Sequence, residues 1–427
     1  MTRAALLLAF LLAAAPAAGQ VVAIVHAKAY PIAPKGVVED ATLVFAGGRI
    51  VSLTAHGAPP AGAEIIDAAG RIVTPGLMNG ATQLGLGEVL GASDTQDAAV
   101  QTGPLGAAFD VHYALNPNSV LLPVARADGL TRAMSYPAGA ATAPFSGAGA
   151  LIRLSPGPDI LERPRAAVFA EVGDSTLAKA GGSRAAQWVL LRNALLEAKH
   201  YAETSKGEGP RDQLLSRPDV EALGPVISGA TPLAITAERE SDIREAIALA
   251  RDLHVRVVIL GGSEAWTEAL SLAAAHIPVV LDPEANLPQT FDKLGARLDN
   301  AALLARNGVT IAFSVSGNGI YLSYNAGLAL REGAGLAVAN GLPYLDALAA
   351  ITKGPADIWG VGDHYGRLAA GFDADIVIWD GDPLEPASAP AAVFVRGVRA
   401  SLTTRQTRLR DRYAPAHAGD GVPPAYR

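Results

Sequence analysis

Apolar positions follow two spacings along the chain, and the change between them divides it into three parts. From residue 21 to residue 66, short apolar stretches such as 21–25 are separated by turns. The same texture returns after Gly366, notably in residues 374–379 and 392–395. Short apolar runs bounded by turn residues predict strands. Both ends of the chain are therefore predicted to build one small β-domain.

Between the two ends, apolar strands alternate with longer helical segments. Residues 232–235 are predicted to form a short strand, followed by a helix with Ser241 as its N-cap. The next strand, 255–260, is apolar at nearly every position, which is typical of a strand covered on both faces. The alternation continues with a helix at 264–275, a strand at 277–281, a helix at 301–306 and a strand at 309–313. Repeated units of this kind predict a parallel sheet, either a closed barrel or an open doubly wound sheet.

Composition narrows the class of protein. The chain has 427 residues, of which 50% are hydrophobic and 18% charged, which is ordinary for a globular protein and long enough for two domains. The formal net charge is −7, and Lys and Arg are scattered rather than gathered in a stripe. Because binding to phosphate backbones needs clustered positive charge, nucleic acid is excluded as an expected partner.

The first nineteen residues have the features of a signal peptide. Arg3 is followed by an apolar run at residues 4–15 and by small residues at 17–19. A retained membrane anchor is the alternative, but about 20 apolar residues are needed to span a bilayer and this run is shorter. The chain has no Cys, so neither a disulfide nor a lipid-modified Cys can form. We therefore expect an exported, periplasmic protein without stable membrane insertion.

Two segments about 300 residues apart carry recognisable motifs. Residues 70–85 read Gly-Arg-Ile-Val-Thr-Pro-Gly-Leu-Met-Asn-Gly-Ala-Thr-Gln-Leu-Gly, and residues 366–383 include Gly-Phe-Asp-Ala-Asp-Ile-Val and Trp-Asp-Gly-Asp-Pro. They resemble the entry to barrel strand one and the return to the β-domain in the amidohydrolase superfamily, closest to its imidazolonepropionase-like branch. Residues 128–131 and 351–356 resemble further barrel segments of that family. The resemblance implies an α/β fold, a TIM-type (β/α)8 barrel with a small composite β-sandwich domain formed by both chain ends.

These observations predict the following division of the chain. Residues 1–19 are the signal peptide, 20–73 the N-terminal part of the β-domain, 74–365 the amidohydrolase-like barrel, 366–404 the C-terminal part of the β-domain, and 405–427 a polar tail that begins with a short helix.

The resemblance also implies a metal site at the C-terminal ends of the barrel strands, and this sequence departs from it. Family members use zinc or another divalent metal to turn bound water into hydroxide. The positions of the family ligands are occupied here by residues without imidazole or carboxylate: Ala81, Gln83, Thr236, Gly261 and Ser316. Because a zinc site needs about three protein ligands, no cofactor is predicted. Glu171 is a candidate for the family's bridging ligand, although an exposed loop carboxylate is the commoner role for such a residue.

Other catalytic devices are faint in this sequence. There is no Gly-x-Ser-x-Gly elbow, no Walker loop and no dinucleotide fingerprint, and the histidines have no ligand partners at metal-binding spacing. Ser175 and Lys179 stand four residues apart, a spacing that alone does not make a nucleophile. Glu238 and Arg239 leave predicted strand five toward the expected pocket, where either a ligand contact or a rim ion pair would explain them.

Two functions remain open at this point. In the first, the chain is a non-catalytic barrel with a neutral, hydrogen-bonding pocket for a small polar molecule, or a subunit of a homo-oligomer or of a hetero-oligomer with an active paralogue. In the second, it is an active hydrolase of carbon–nitrogen bonds, in dipeptides or non-peptide substrates, that works through an atypical site. Both share the same pocket candidates, namely Gln83, Thr236, Glu238, Arg239 and Ser316.

Overall fold

A computed structural model describes residues 20–34, 36–88, 92–139, 144–204, 214–315 and 326–414. The predicted signal peptide, the end of the polar tail and the site candidate Ser316 lie outside these ranges. Within them, no helix combines the length and the apolar character needed to cross a membrane.

Strands and helices of the described residues are numbered in chain order. The strands are β1 Val22–Ala29, β2 Val38–Ala46, β3 Arg49–Ala55, β4 Glu64–Asp67, β5 Ile72–Pro75, β6 Leu77–Thr82, β7 Leu130–Ser135, β8 Phe145–Arg153, β9 Leu161–Glu171, β10 Leu233–Ala237, β11 Val257–Gly261, β12 Val279–Leu281, β13 Ile311–Phe313, β14 Ile376–Trp379, β15 Pro390–Val395 and β16 Val398–Arg399. The α-helices are α1 Leu121–Ala127, α2 Arg184–Glu203, α3 Arg217–Ile227, α4 Glu240–Leu253, α5 Ala269–Ala274, α6 Asn300–Arg306, α7 Ala326–Ala339, α8 Tyr344–Ala350, α9 Lys353–Ile358 and α10 Arg405–Tyr413.

One sheet joins the two ends of the chain. Its strand order in the described ranges is β16-β15-β14-β5-β1-β2-β3, with β4 paired to β1. The edge strand β3 lies close to the segment before β14, since Ile50 of β3 donates its N–H to the Phe372 carbonyl at 2.8 Å. The sheet therefore curls back on itself. Two facing layers result, with Ile24, Leu43 and Phe394 buried between them. The β-domain predicted from both chain ends is therefore present.

The second sheet forms the barrel, with the described strands in the order β13-β12-β11-β10-β9-β8-β7-β6. Strand β13 lies beside β6, since a Cβ added to Gly80 would fall 2.8 Å from the Phe313 carbonyl oxygen. The strands thus form a nearly closed barrel, which confirms the predicted barrel over an open doubly wound sheet. Its core has two shells, an inner one that includes Met78, Val258 and Val280 and an outer one under the helices.

Strand β8 departs from a regular (β/α)8 pattern, because it runs antiparallel to both β7 and β9. Its glycines allow a close approach of neighbouring groups. A Cβ on Gly149 would lie 2.5 Å from the Phe169 ring, and one on Gly147 would lie 2.6 Å from the Phe109 carbonyl. Gly147 also has φ +129°, a region that side chains disfavour. The β7–β8–β9 segment is therefore a meander inside an otherwise parallel barrel.

Helix α4 shows how neighbouring units fix local structure. The sequence predicts Ser241 as its N-cap, but the helix begins at Glu240 and its N-cap is Arg239, whose side chain makes no capping bond. The carboxylate of Glu264, from the next unit, accepts the Glu240 N–H at 2.8 Å. Because this distant carboxylate satisfies a first-turn donor, the helix starts two residues earlier than the predicted N-cap implies.

A buried arginine on α7 anchors the barrel to the β-domain. Arg331 is 2% exposed and donates to the Ser388 carbonyl at 3.0 and 2.9 Å. Its guanidinium lies 5.0 Å from the Trp379 ring of β14. Burial raises the pKa of nearby Asp128 to about 6, against the opposing charge of Arg331. Ionised Asp128 is therefore less stable in the folded protein than in the unfolded chain, and this lowers the free energy of unfolding.

We expect Asp128→Asn to stabilise the protein at pH 7. Since the folded pKa of about 6 lies above the ordinary range of an Asp, the native state binds this proton more tightly than the unfolded state does. Stability therefore falls as pH rises to about 6 and stays reduced above it. Urea unfolding should show a gain of about 1–3 kcal/mol at pH 7 and a smaller gain at pH 5, because at pH 5 the folded protein still keeps most of this proton. Asp346→Asn, at an exposed position, is the control; equal gains at both pH values would contradict the expectation.

Candidate functional site

The C-terminal ends of the seven parallel strands meet at one end of the barrel, which we call the mouth. In barrels of this type, residues that follow the strands converge there and form the site. The residues placed at the mouth by strand direction are Ala81, Gln83, Tyr136, Glu171, Thr236, Glu238, Gly261 and Asp282.

Glu238 takes the space that a side chain at position 261 would need. A Cβ added to Gly261 would lie 2.5 Å from Glu238 Oε1 and 2.8 Å from Oε2, and Gly261 itself has φ +81°. The carboxylate accepts hydrogen bonds from the Ser263 N–H at 2.9 Å and from its hydroxyl at 2.6 Å. Lys293 Nζ lies 3.1 Å away, and both side chains are largely buried. The Glu238 carboxylate, which follows β10 and is paired with Lys293, thus occupies the space beside Gly261 of β11. Gly261 stands at a position where the resemblance implies a metal ligand.

The predicted pair of Glu238 and Arg239 does not form. Arg239 instead turns to its own helix, with Nε 3.2 Å from Asp242 and Nη2 donating to Ser241 Oγ at 2.7 Å. The interpretation of these neighbours as one rim ion pair is therefore wrong. The Glu238 carboxylate faces Lys293, whereas the Arg239 guanidinium contacts the side chains of Ser241 and Asp242 in α4.

The remaining pocket candidates differ in burial. Ala81 is 3% exposed and packs in the inner shell of the barrel, so its methyl group offers no donor. Gln83 and Thr236 are half-buried, and Thr236 lies opposite Glu171 in the register of β9 and β10.

Two further polar side chains at the mouth, Tyr136 and Asp282, were missed from sequence, and a third, Glu171, was named there only as a possible bridging ligand or an exposed loop carboxylate. Burial first, and then the negative charges of Glu171 and Asp282, raise the pKa of Tyr136 to about 12. The phenol therefore stays protonated at neutral pH and can donate a hydrogen bond. Glu171 is half-buried at the last position of β9 rather than in an exposed loop. The only sequence signal for Tyr136 and Asp282 was that each directly follows a strand. The hydrophobic patterns of β7 and β9 are weak, so these strands were difficult to predict.

Aromatic packing holds Tyr136 in place. Its ring centroid lies 5.2 Å from that of Phe169, which in turn lies 6.1 Å from that of Trp359. Trp359 Nε1 donates to the Gly80 carbonyl at 2.8 Å. Ser175 donates its hydroxyl to Glu171, so it supports that carboxylate.

The loop after β12 is tied to the loops of three neighbouring strands. Asp292 accepts the Asp174 N–H at 2.7 Å beyond β9. Glu264, beyond β11, accepts the Gly295 N–H at 2.7 Å, and Trp266 donates to the Gly295 carbonyl at 2.8 Å. Lys293 lies in the loop between Asp292 and Gly295, which make these hydrogen bonds. The hydrogen bonds therefore hold Lys293 near Glu238.

A second group of acidic and imidazole side chains lies at the opposite end of the barrel. Glu162, His364 and Asp373 place potential ligand atoms within 4.8 Å of one another, the one such group of three found in the described residues. However, Arg132, which is 1% exposed, stands among them and bonds to Glu162 and Asp373, with Nε 3.2 Å from Asp375. The group is organised around a guanidinium.

Charge balance at this group leaves little need for a metal. Arg49 and Arg396 also face Asp373, at 3.0 and 3.6 Å, so three arginines meet the three carboxylates of Glu162, Asp373 and Asp375. A cation would have to displace Arg132, whose guanidinium also lies 4.4 Å from the Tyr365 ring. Within the described ranges, the donor sets at the two barrel ends do not fit the divalent centre that the resemblance implies.

Comparisons with known proteins bear on the class of this protein. A model of the amidohydrolase family matches residues 231–403, from β10 to the end of the β-domain. "Amidohydrolase tasK" of Hapsidospora irregularis is 54% identical over 57 residues, which are 13% of this chain and only 6% of that protein.

Solved structures extend the likeness over most of the chain. An amidohydrolase from Thermotoga maritima MSB8 is 24% identical and has a TM-score of 0.78, over 89% of this chain and 99% of that one. Molinate hydrolase is 15% identical with a TM-score of 0.56, over 90% and 95% of the two chains. The family model thus matches the C-terminal part of the chain, and the solved structures show that the chain shares their fold.

We expect Arg132→Ala to destabilise the protein strongly. Removal of one partner from a buried ion-pair network leaves the other charges uncompensated, at a cost of about 3–5 kcal/mol. Urea unfolding measures this loss, and Arg192→Ala, which breaks an exposed pair with Asp252, should change stability by less than about 1 kcal/mol. A loss for Arg132→Ala no larger than that of the control would mean that the network contributes little.

We also expect Glu238 and Lys293 to be energetically coupled. A double-mutant cycle of Glu238→Gln and Lys293→Met should give an interaction energy of about 1–2 kcal/mol, because both side chains are largely buried. The exposed i,i+4 pair Arg217–Glu221 is the matched control, with about 0.5 kcal/mol or less expected. Equal coupling in the two cycles would show that Lys293 does not hold Glu238 in place.

Proposed function

We propose that this chain is an exported, non-catalytic member of the amidohydrolase superfamily, close to its imidazolonepropionase-like branch, whose mouth binds a small polar molecule. The proposal rests on one observation above all. The space at position 261 is taken by the Glu238 carboxylate, which Lys293 neutralises at 3.1 Å.

The electrostatics of that pair oppose a divalent metal. A dication near Glu238 would have to displace the ammonium group of Lys293 or tolerate it as a close neighbour. Ala81 and Gly261 supply no donor atoms, and Gln83 and Thr236 supply only neutral oxygens or an amide, which are poor zinc ligands. Metal-activated water, the source of hydrolytic power in this superfamily, is therefore absent from the proposed mechanism.

The polar groups that remain define the class of ligand. Tyr136 can donate a hydrogen bond from its phenol, and the half-buried Glu171 and Asp282 offer carboxylate acceptors nearby. The sequence alone suggested a neutral pocket; these carboxylates give its edge negative charge instead. Glu171 already accepts from the Ser175 hydroxyl, and Asp282 accepts from the Glu284 and Ala285 N–H groups. A ligand that presents N–H or O–H donors, such as an amide, an amine or a sugar, can add hydrogen bonds to these carboxylates.

A subunit role is compatible with the same mouth. The loop that carries Lys293 also exposes Phe291 at 81% and Leu294 at 64%. Adjacent exposed apolar side chains of this size often mark contact surfaces. They support a second element of the proposal, that the mouth faces another copy of the chain or an active paralogue.

The decisive experiment measures metal and turnover together. Protein purified without chelator should contain far less than one equivalent of zinc, manganese or iron by elemental analysis. It should not hydrolyse dipeptides or cyclic amides such as hydantoin, with or without added zinc or manganese. Stoichiometric metal, together with activity that a chelator removes and the metal restores, would establish the active hydrolase instead and overturn the proposal.

A further inference from the structure

A cleft of about 930 Å³ opens at the end of the barrel opposite the mouth. It lies where α4 and α5 end and where β10, β11 and β12 begin, between residues 247–258 and 271–278. Its volume is within the range of small-molecule sites. Because active sites of such barrels lie at the other end, this cleft has no part in the proposed function of the mouth.

The walls of the cleft are mainly apolar. Its accessible apolar side chains are the half-buried Ile247, Ala250 and Pro278 and the exposed Ala274 and Ala275. Val257, Ile277 and Ile358 also border it but are buried in the core. Contact with these accessible apolar side chains stabilises a bound apolar group, with a free energy of roughly 25 cal/mol for each Å² of apolar surface removed from water.

Positive charge is concentrated among the polar residues of the lining. Arg251 and Arg256 are exposed there, with His254 and His276. The one carboxylate in the lining, Asp357, already pairs with Lys353 at 2.7 Å and with Arg367 at 3.0 Å. This local excess runs against the net charge of the chain, which is −7.

Arg256 is the least engaged of these groups. The one hydrogen bond of its guanidinium among the described residues goes to the Gly229 carbonyl, at the limiting distance of 3.5 Å. Arg251, by contrast, pairs with Asp252 at 3.0 Å, and that carboxylate also serves Arg192 at 3.2 Å. A guanidinium with its donors largely unused, beside an apolar cleft, is suited to an anionic head group.

The two histidines have a separate explanation and carry no weight in the argument. His254 and His276 have φ values of +56° and +53° and follow α4 and α5. Histidine is among the residues enriched in this left-handed region, and a cation is favoured at a helix C-terminus. Among the polar side chains of the lining, the guanidinium of Arg256 therefore remains the least engaged.

We propose that this cleft binds a small organic anion with an apolar body, of the class of medium-chain carboxylates. The carboxylate lies against Arg256, and the hydrocarbon chain lies along the partly accessible side chains of Ile247, Ala250 and Pro278. This binding is independent of whether the mouth is catalytic.

Calorimetric titration of decanoate into the full chain, below its micellar concentration, tests the proposal. Saturable binding of one equivalent is expected. Arg256→Gln should weaken it about tenfold, as loss of one charge-assisted contact implies, and Ala274→Trp should block it, because Ala274 is an exposed residue of the lining. Decylamine, with the opposite charge, should bind at least about tenfold more weakly.

Two control variants separate this cleft from other binding. Arg405→Gln removes an arginine from α10, outside the lining, and Lys293→Met removes the cation at the mouth; both should leave decanoate binding unchanged. Thermal unfolding verifies that Arg256→Gln and Ala274→Trp remain folded. Absence of saturable binding, equal binding of decylamine, or a loss caused by Lys293→Met but not by Arg256→Gln would each overturn the proposal.

Discussion

The buried guanidinium of Arg132 is the interaction on which the two parts of the molecule depend. It lies on a barrel strand, yet two of its three carboxylate partners, Asp373 and Asp375, belong to the segment that returns to the β-domain. A buried charge is tolerated only when it is paired, so the barrel and the β-domain must keep their relative positions for Arg132 to remain satisfied. Burial raises the pKa of Asp375, and the positive charge of Arg132 lowers it. The pairing with Arg132 therefore offsets part of the cost of burying the Asp375 carboxylate.

At the mouth, the same principle acts on a smaller scale. A carboxylate that leaves β10 fills the space above a glycine of β11 and is neutralised by a lysine from the loop after β12. Three successive βα units are thereby linked at the point where the superfamily's metal would be held. The result is a mouth organised by an ion pair, with a protonated phenol and two carboxylates beside it.

The two ends of the barrel thus have different character. The mouth presents hydrogen-bonding groups of net negative charge, whereas the cleft at the opposite end combines apolar walls with unused positive charge. Ligands of different chemistry are proposed for each, and neither proposal requires the other. The fold supports both because strand ends and helix ends supply side chains at each face without disturbing the shared core.

Local sequence determined the elements of this protein, because hydrophobic periodicity and turn residues act over a few positions. The strands of the β-domain and the units from β10 to β13 could therefore be predicted. The absence of metal-ligand atoms in the side chains of Ala81 and Gly261 could be predicted as well. The tertiary structure alone decided which side chains meet. Lys293 reaches Glu238 from 55 positions along the chain, Glu264 moves the start of α4, and Tyr136 joins Glu171 and Asp282 through a meander that no βα pattern predicts. Such contacts depend on how strands are ordered around a barrel, and that order is not encoded in the spacing of any one segment.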